Sequence, residues 1–463
     1  YFGSEVNGLV SSLNQFLAYI TLVEGGITGV ILANLYKPLV DKDEKKLSSV
    51  LVTADSFFKK IGLLFVVYTL ILATVYPIIF KTRFSYGYIF LLTMILSVNL
   101  LIQYMFSLTL KTILNADKKG YIVNFTQTII VICNIILAII SVIIYPSIHV
   151  LKLISGMLFI LQPVVFGKYV KSHYHIDWRA PRDNSLIKER WNGFAINLAA
   201  FIHNSTDITI LTIFTSLKIV SIYSVYNLVS SGIKQLINAC LTGIAHTVGQ
   251  AYAKRNFDEL NQKMDIYEYI VFVLVYFFFT VSALLITPFV QIYTKGIVDT
   301  NYYQPVFGIL LLISEALYLI KLPHLNLAYS ANKFKEITLP AFIEATLNIV
   351  ISIILVSKWG LIGVAVGTIA GMIYRMVFHV YYTSKIVPDR KQSKFYKKFL
   401  LFSVTAIIGF YLCYKCFPIV NVTVFNWIMH AIIYCVILGS IYGLISFGFF
   451  KKELKFFIRY LKR

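Results

Sequence analysis

Apolar runs of about 20 residues, parted by short polar gaps, recur along the whole chain. Each can cross a hydrocarbon layer of roughly 30 Å as a helix. Lipid offers the backbone no hydrogen-bonding partner, so such runs are confined to helices that satisfy their own N–H and C=O groups. The runs lie near 8–33, 57–80, 86–110, 121–145, 148–168, 193–216, 219–250, 266–293, 303–331, 337–357, 361–382, 396–417 and 425–450. With 58% hydrophobic and 14% charged residues, no hydrophilic domain fits between them. The expectation is an all-α integral membrane protein with thirteen spans.

The net charge of +21 would suggest a nucleic-acid partner in a soluble protein, but here each cation is read against the topology. If the segment 34–60 is cytoplasmic, 32 Lys and Arg fall on that side and 7 on the other. The positive-inside bias accounts for the basic balance without nucleic acid and puts the C-terminus in the cytoplasm. Three cations remain inside the spans: Lys234, Lys321 and Arg375.

The chain also repeats itself. "LNADKKGYIV" (114–123) parallels "YSANKFKEIT" (329–338) at an offset of 215, and Asn134, Tyr36 and the "SGM" at 155–157 have counterparts in Asn348, Tyr252 and "AGM" at 370–372. The spacing predicts a duplication, with both copies starting and ending on the same membrane side. The expected organisation is an N-terminal bundle at 1–170, a basic cytoplasmic linker at 171–192, a second bundle at 193–385, and two further helices with a basic tail at 386–463. The span 193–216 has no counterpart after Tyr1, so the duplication predicts a native chain of fourteen helices whose first precedes this sequence.

The opening "YFGSEVNGLVSSLNQFLAYITLVEGGITGV", the amphipathic segment after it, "NSTDITIL" at 204–211 and "IEATLNIVISIILVSKWGLIGVAVGTIAG" at 343–371 resemble O-antigen and capsular polysaccharide flippases. These belong to the multidrug, oligosaccharidyl-lipid and polysaccharide exporter superfamily. The resemblance implies two six-helix bundles in a V around a cavity opening alternately to each side. It implies a cargo of undecaprenyl-diphosphate-linked oligosaccharide moved across the bacterial inner membrane for capsule, O-antigen or exopolysaccharide synthesis. Membrane lipid, a polysaccharide polymerase and a chain-length regulator are the partners it suggests. Independently, Gly360, Gly363, Gly367 and Gly371 put small residues on one helical stripe, where another helix can approach closely.

Charges deep in lipid are costly and point to a partner or a role. Lys234 lies about 22 Å from either end of its span. It is read either as a cavity cation for a diphosphate or as half of a buried pair with an acid on another helix. Arg375 is placed between snorkelling and substrate binding, and Lys321 sits beside Pro323 on a segment expected to bend, with Glu315 and His324. The embedded acids Glu24, Asp207, Glu315 and Glu344 are candidates for carrying a coupling proton or sodium ion, with inter-helix hydrogen bonding as the alternative. His203, four residues before Asp207, shares its helical face. The offset pairs Lys234 with the uncharged Tyr19, so the cation belongs to the second half alone.

The sequence implies no cofactor, metal or catalytic set. Cys413 and Cys416 stand together as "CYKC" with no second ligand cluster. A membrane glycosyltransferase or polymerase would need paired carboxylates on a sizeable hydrophilic segment. The nearer alternatives are a cation or drug antiporter and a lipid II flippase of the same superfamily.

Overall fold

The computed structural model describes residues 2–24, 26–80, 82–183 and 191–461; the side chains of 191–197, 199–200, 203–204, 242–243, 246 and 457–461 fall outside the description. Every regular element among these residues is helical. The first helices are α1 (Ser4–Ala18), α2 (Thr21–Glu24), α3 (Ile27–Asp41), α4 (Glu44–Ile79) and α5 (Tyr86–Ile102), which runs through a π-helical turn at Gln103–Ser107 into α6 (Leu108–Ala116). Next come α7 (Gly120–Ile144), α8 (Ile148–Met157), a 3₁₀ turn at Leu158–Ile160 and α9 (Leu161–His173). After the linker follow α10 (Trp191–Phe214), α11 (Leu217–Ala253), α12 (Phe257–Tyr293), α13 (Pro305–Ile320), α14 (Leu322–Ser330), α15 (Phe334–Trp359) and α16 (Leu361–Ile386). The chain ends with α17 (Gln392–Cys416), α18 (Val424–Phe449) and α19 (Lys451–Leu461).

Eleven spans among the described residues are long and apolar enough to cross a membrane, which makes this a multi-pass membrane protein. The expected runs at 193–216 and 219–250 are helical, as α10 and α11, but are not among the eleven, and the run at 8–33 is redrawn. The run at 8–33 is not one helix: α1 stops at Ala18, and Gly26 takes a φ of 80°, so α3 starts afresh after the Gly-Gly pair. That left-handed φ comes readily to a residue without Cβ. The run at 303–331 divides at Lys321, because Pro323 cannot donate to the carbonyl one turn back. Other helices outrun the lipid: α4 has 36 residues, about 54 Å at 1.5 Å each, and starts where Asp43 accepts a hydrogen bond from the Lys46 N–H.

The chain divides into two compact units: Val10–Phe201 with Phe2, and Ile202–Arg463 with Gly3–Leu9. In the first, Phe58 and Phe65 of α4 pack with Leu17, Tyr104 and Phe166 in a fully enclosed core. On α7 the opposite holds, for Ile129, Ile132, Ile136, Ile139 and Ile143 form an exposed stripe at three- and four-residue spacing. Lipid tails are as apolar as these side chains, so burying them drives little association. Close packing, hydrogen bonds and ion pairs have to hold the helices together.

The second unit shows all three. Its α12 is the most enclosed span, with 61% of its most apolar stretch buried. In the same unit, α15 and α16 form a hairpin turned at Gly360 (φ 51°). A Cβ on Gly367 would lie 2.2 Å from Ser352 Oγ and 2.8 Å from the Asn348 carbonyl, and one on Gly363 would lie 2.6 Å from the Leu355 backbone. The stripe expected from sequence therefore contains Gly363, Gly367 and Gly371, while Gly360 makes the turn. This approach brings polar residues of α15 and α16 against α10, where Thr368 meets Asp207, and against the α13–α14 break, where Glu344 meets Lys321.

Candidate functional site

Each of the three cations left over from the topology lies near an acid in the second unit. The Lys234 amine on α11 is 2.8 Å from Glu315 Oε2 on α13 and donates to Oε1 at 3.0 Å. Arg375 on α16 donates from Nη1 to Glu344 Oε2 on α15 at 2.8 Å, and its Nε lies 2.7 Å from His379 Nε2. Lys321, at the α13–α14 break, has its amine 3.9 Å from the same Glu344 oxygen and 3.6 Å from Met372 Sδ. Tyr318 joins the groups, with the Lys234 amine 5.0 Å and the Lys321 amine 4.6 Å from its ring centroid. A cation over an aromatic face is attracted by the ring quadrupole. Three cations and two carboxylates leave this cluster one positive charge in excess when all are ionised.

The two ends differ in access. The Lys234 and Glu315 side chains are 16% and 12% exposed, against 4–6% for Lys321, Glu344 and Arg375. Lys234 is thus the cation nearest to reach for a molecule from outside the packing.

Asp207 on α10 forms a separate oxygen-rich group. It accepts from Tyr223 OH at 3.0 Å, and the Thr368 hydroxyl lies 3.2 Å from both carboxylate oxygens. The same hydroxyl is 3.3 Å from Asn348 Oδ1 and 3.1 Å from the Val364 carbonyl; Ser352 Oγ donates to Asn348 Oδ1 at 3.1 Å. The partner expected for Asp207, His203, has its side chain outside the description. Glu24 lies in the other unit, where Thr28 Oγ1 donates to it and Tyr104 OH donates at 3.4 Å. The acids proposed for ion coupling therefore occupy different settings: Asp207 among neutral oxygens, Glu315 and Glu344 facing cations.

Sequence reading missed a further cluster at the junction of α12, α14 and α17. Glu268, 1% exposed, accepts from Arg390 and from Lys398 at 3.0 Å, and His324 Nε2 is 3.4 Å away. Asp265 takes Arg390 at 3.3 Å and Lys398 at 3.4 Å. Arg390, in the turn between α16 and α17, is held above its ordinary pKa: burial would lower it, but the charges of Glu268 and Asp265 outweigh burial. Glu268 lies two residues inside the run at 266–293, and an acid so close to a span's edge reads as wetted. Among the described residues no group of three or more His, Cys, Asp and Glu could hold a metal ion, and Cys413 and Cys416 are free thiols.

No family model matches this sequence, and no curated protein matches it. Solved structures do. A lipid II flippase, MurJ, in an inward closed conformation matches with a TM-score of 0.71 at 17% identity, covering 95% of this chain and 96% of that one. An inward-facing multidrug resistance MATE family transporter of the MOP superfamily matches with a TM-score of 0.66 at 14% identity, over 83% of this chain and 92% of that one. The Vibrio cholerae MATE transporter VcmN in its bent form gives 0.56 at 11%, over 84% and 93%. The chain thus has the fold shared by the lipid II flippase and these MATE transporters.

Proposed function

We propose that this chain is a flippase that moves a lipid-diphosphate-linked oligosaccharide across the bacterial cytoplasmic membrane by alternating access, with its C-terminus in the cytoplasm. The observation that carries the reading is the group Lys234, Tyr318, Lys321 and Arg375, which gathers an excess of positive charge inside a membrane unit. A diphosphate is the polar part of such a cargo, and Lys234 is a compact point charge suited to it. The aromatic Tyr318 between two amines is suited to stacking on a sugar ring. The fold match over nearly the whole length of a lipid II flippase supports a lipid-linked cargo.

Asp207 serves as the coupling site in this reading. A carboxylate facing Thr368, Asn348 and Tyr223 offers oxygen donors that suit a proton or a hard monovalent cation. Asp207 and the MATE likeness also favour a second reading, export of an organic cation, for which net negative charge in the binding region is needed.

Reconstitution into liposomes with fluorescent undecaprenyl-diphosphate oligosaccharide tests the choice. Wild type is expected to move the lipid between leaflets, and Lys234→Ala to slow this about tenfold or more, the size of one charge-assisted contact. Normal movement by a well-folded Lys234→Ala protein would overturn the cation role. Export of ethidium, with no movement of the lipid, would replace the reading by the antiporter.

A further inference from the structure

The last two helices leave a groove unfilled. Between α12, α18 and α19 lies a cavity of about 320 Å³, within the roughly 300–1,000 Å³ usual for small-molecule pockets. Tyr269, Phe277, Gly439, Gly443, Ser446 and Leu454 line it. The two glycines bare one face of α18: a Cβ on Gly439 would only touch Phe277 at 3.7 Å, and one on Gly443 would meet nothing within 4 Å. At the foot of the groove the chain turns into α19, whose sequence "KKELKFFIRYL" alternates cations with apolar residues at helical spacing. Phe450 anchors this turn, with ring centroids 5.3 Å from Tyr269 and 5.6 Å from Phe402. Leu454 then faces the groove, while Lys451, Lys452 and Lys455 are exposed. An amphipathic basic helix of this kind lies at the membrane interface, where anionic headgroups gather.

The geometry points to a site for one anionic phospholipid, with an acyl chain in the groove and its phosphate headgroup held by Lys451, Lys452 and Lys455. The occupant follows from charge complementarity. An apolar groove alone accepts any hydrocarbon, but one walled by a helix on which three exposed lysines outnumber the single acid, Glu453, selects a chain carrying a net negative head. The site is independent of the cluster around Lys234 and of the cargo.

Native mass spectrometry of the full chain, released from micelles holding equal phosphatidylglycerol and phosphatidylcholine, tests it. Wild type is expected to retain phosphatidylglycerol over phosphatidylcholine, by roughly fivefold for each lysine engaged. Gly443→Leu fills the groove and is expected to abolish retention, whereas Gly443→Ala keeps it. Replacing the three lysines by Glu is expected to remove the preference, and replacing them by Arg to preserve it. Size-exclusion profiles identify variants that fold. Equal retention of both lipids by wild type would overturn the proposal. So would undiminished retention in Gly443→Leu, which would mean surface attraction only. Retention unaffected by the Glu substitutions would mean a purely hydrocarbon occupant, such as a prenyl tail, and would overturn it too.

Discussion

Lys234 and Glu315, 81 residues apart in the chain, face each other at 2.8 Å from two helices, each side chain a little open to its surroundings. The pair is a contact between α11 and α13 and also a reserve of positive charge that Glu315 partly neutralises. Lys234→Met and Glu315→Gln are each expected to lower stability, with a double-mutant coupling energy of about 1–3 kcal/mol. Thermal unfolding of the four purified proteins in detergent measures it; additive effects would mean that the two groups do not interact.

Glu344 serves both Arg375 and Lys321 with its side chain 5% exposed. Removing one member of a buried ion group strands the rest, at about 3–5 kcal/mol. Glu344→Gln is therefore expected to lower the unfolding temperature more than Glu315→Gln does. An equal or smaller drop would show that the deeper cluster is not the tighter one.

The helix approach at Gly367 makes a geometric prediction. Gly367→Ala forces its methyl into Ser352 and the Asn348 backbone, costing about 1–3 kcal/mol. Gly232→Ala on α11, where a Cβ meets nothing within 4 Å, is expected to be neutral or to stabilise by about 0.5–1 kcal/mol. Unfolding midpoints of the two variants, read side by side, decide this.

Arg390 bridges Asp265 and Glu268 from the turn before α17, with its side chain 7% exposed. Its planar fork reaches two carboxylates, which a lysine amine does not match. Arg390→Lys is expected to recover little of the stability lost in Arg390→Met, and both to speed cleavage by protease in the 387–391 turn. Full recovery by Lys would reduce the role of Arg390 to charge alone.

Eleven of the thirteen expected spans and the odd cations could be read from the chain because hydropathy reports depth in the membrane directly. Which way a residue points around its helix was not legible. The sequence leaves Lys234 as either a cavity cation or half of a pair, and nothing local to its own helix brings in Glu315. Tyr318 was lost among 32 tyrosines for the same reason. Asn348 stood out only as a landmark of the repeat, although Ser352 four residues on shared its face and hinted at the polar group around Thr368 and Asp207. The division at Gly26 was masked because apolar residues continue on both sides of the Gly-Gly pair, so the hydropathy signal outweighed the turn signal.

The break between α13 and α14 holds a consequence for motion. Lys321 at the break keeps a right-handed helical backbone (φ −75°, ψ −18°), so the two pieces stay nearly continuous, yet its amine is staked beside Glu344 and Met372. Any swing of α14 about this point would have to carry a charge past its counter-charge in a low-dielectric interior. Such a joint behaves as a detent, resting in discrete positions and resisting those between, because packed polar contacts are bistable and do not deform continuously. If the chain transports as proposed, a shift of α14 would come as a click in place of a drift.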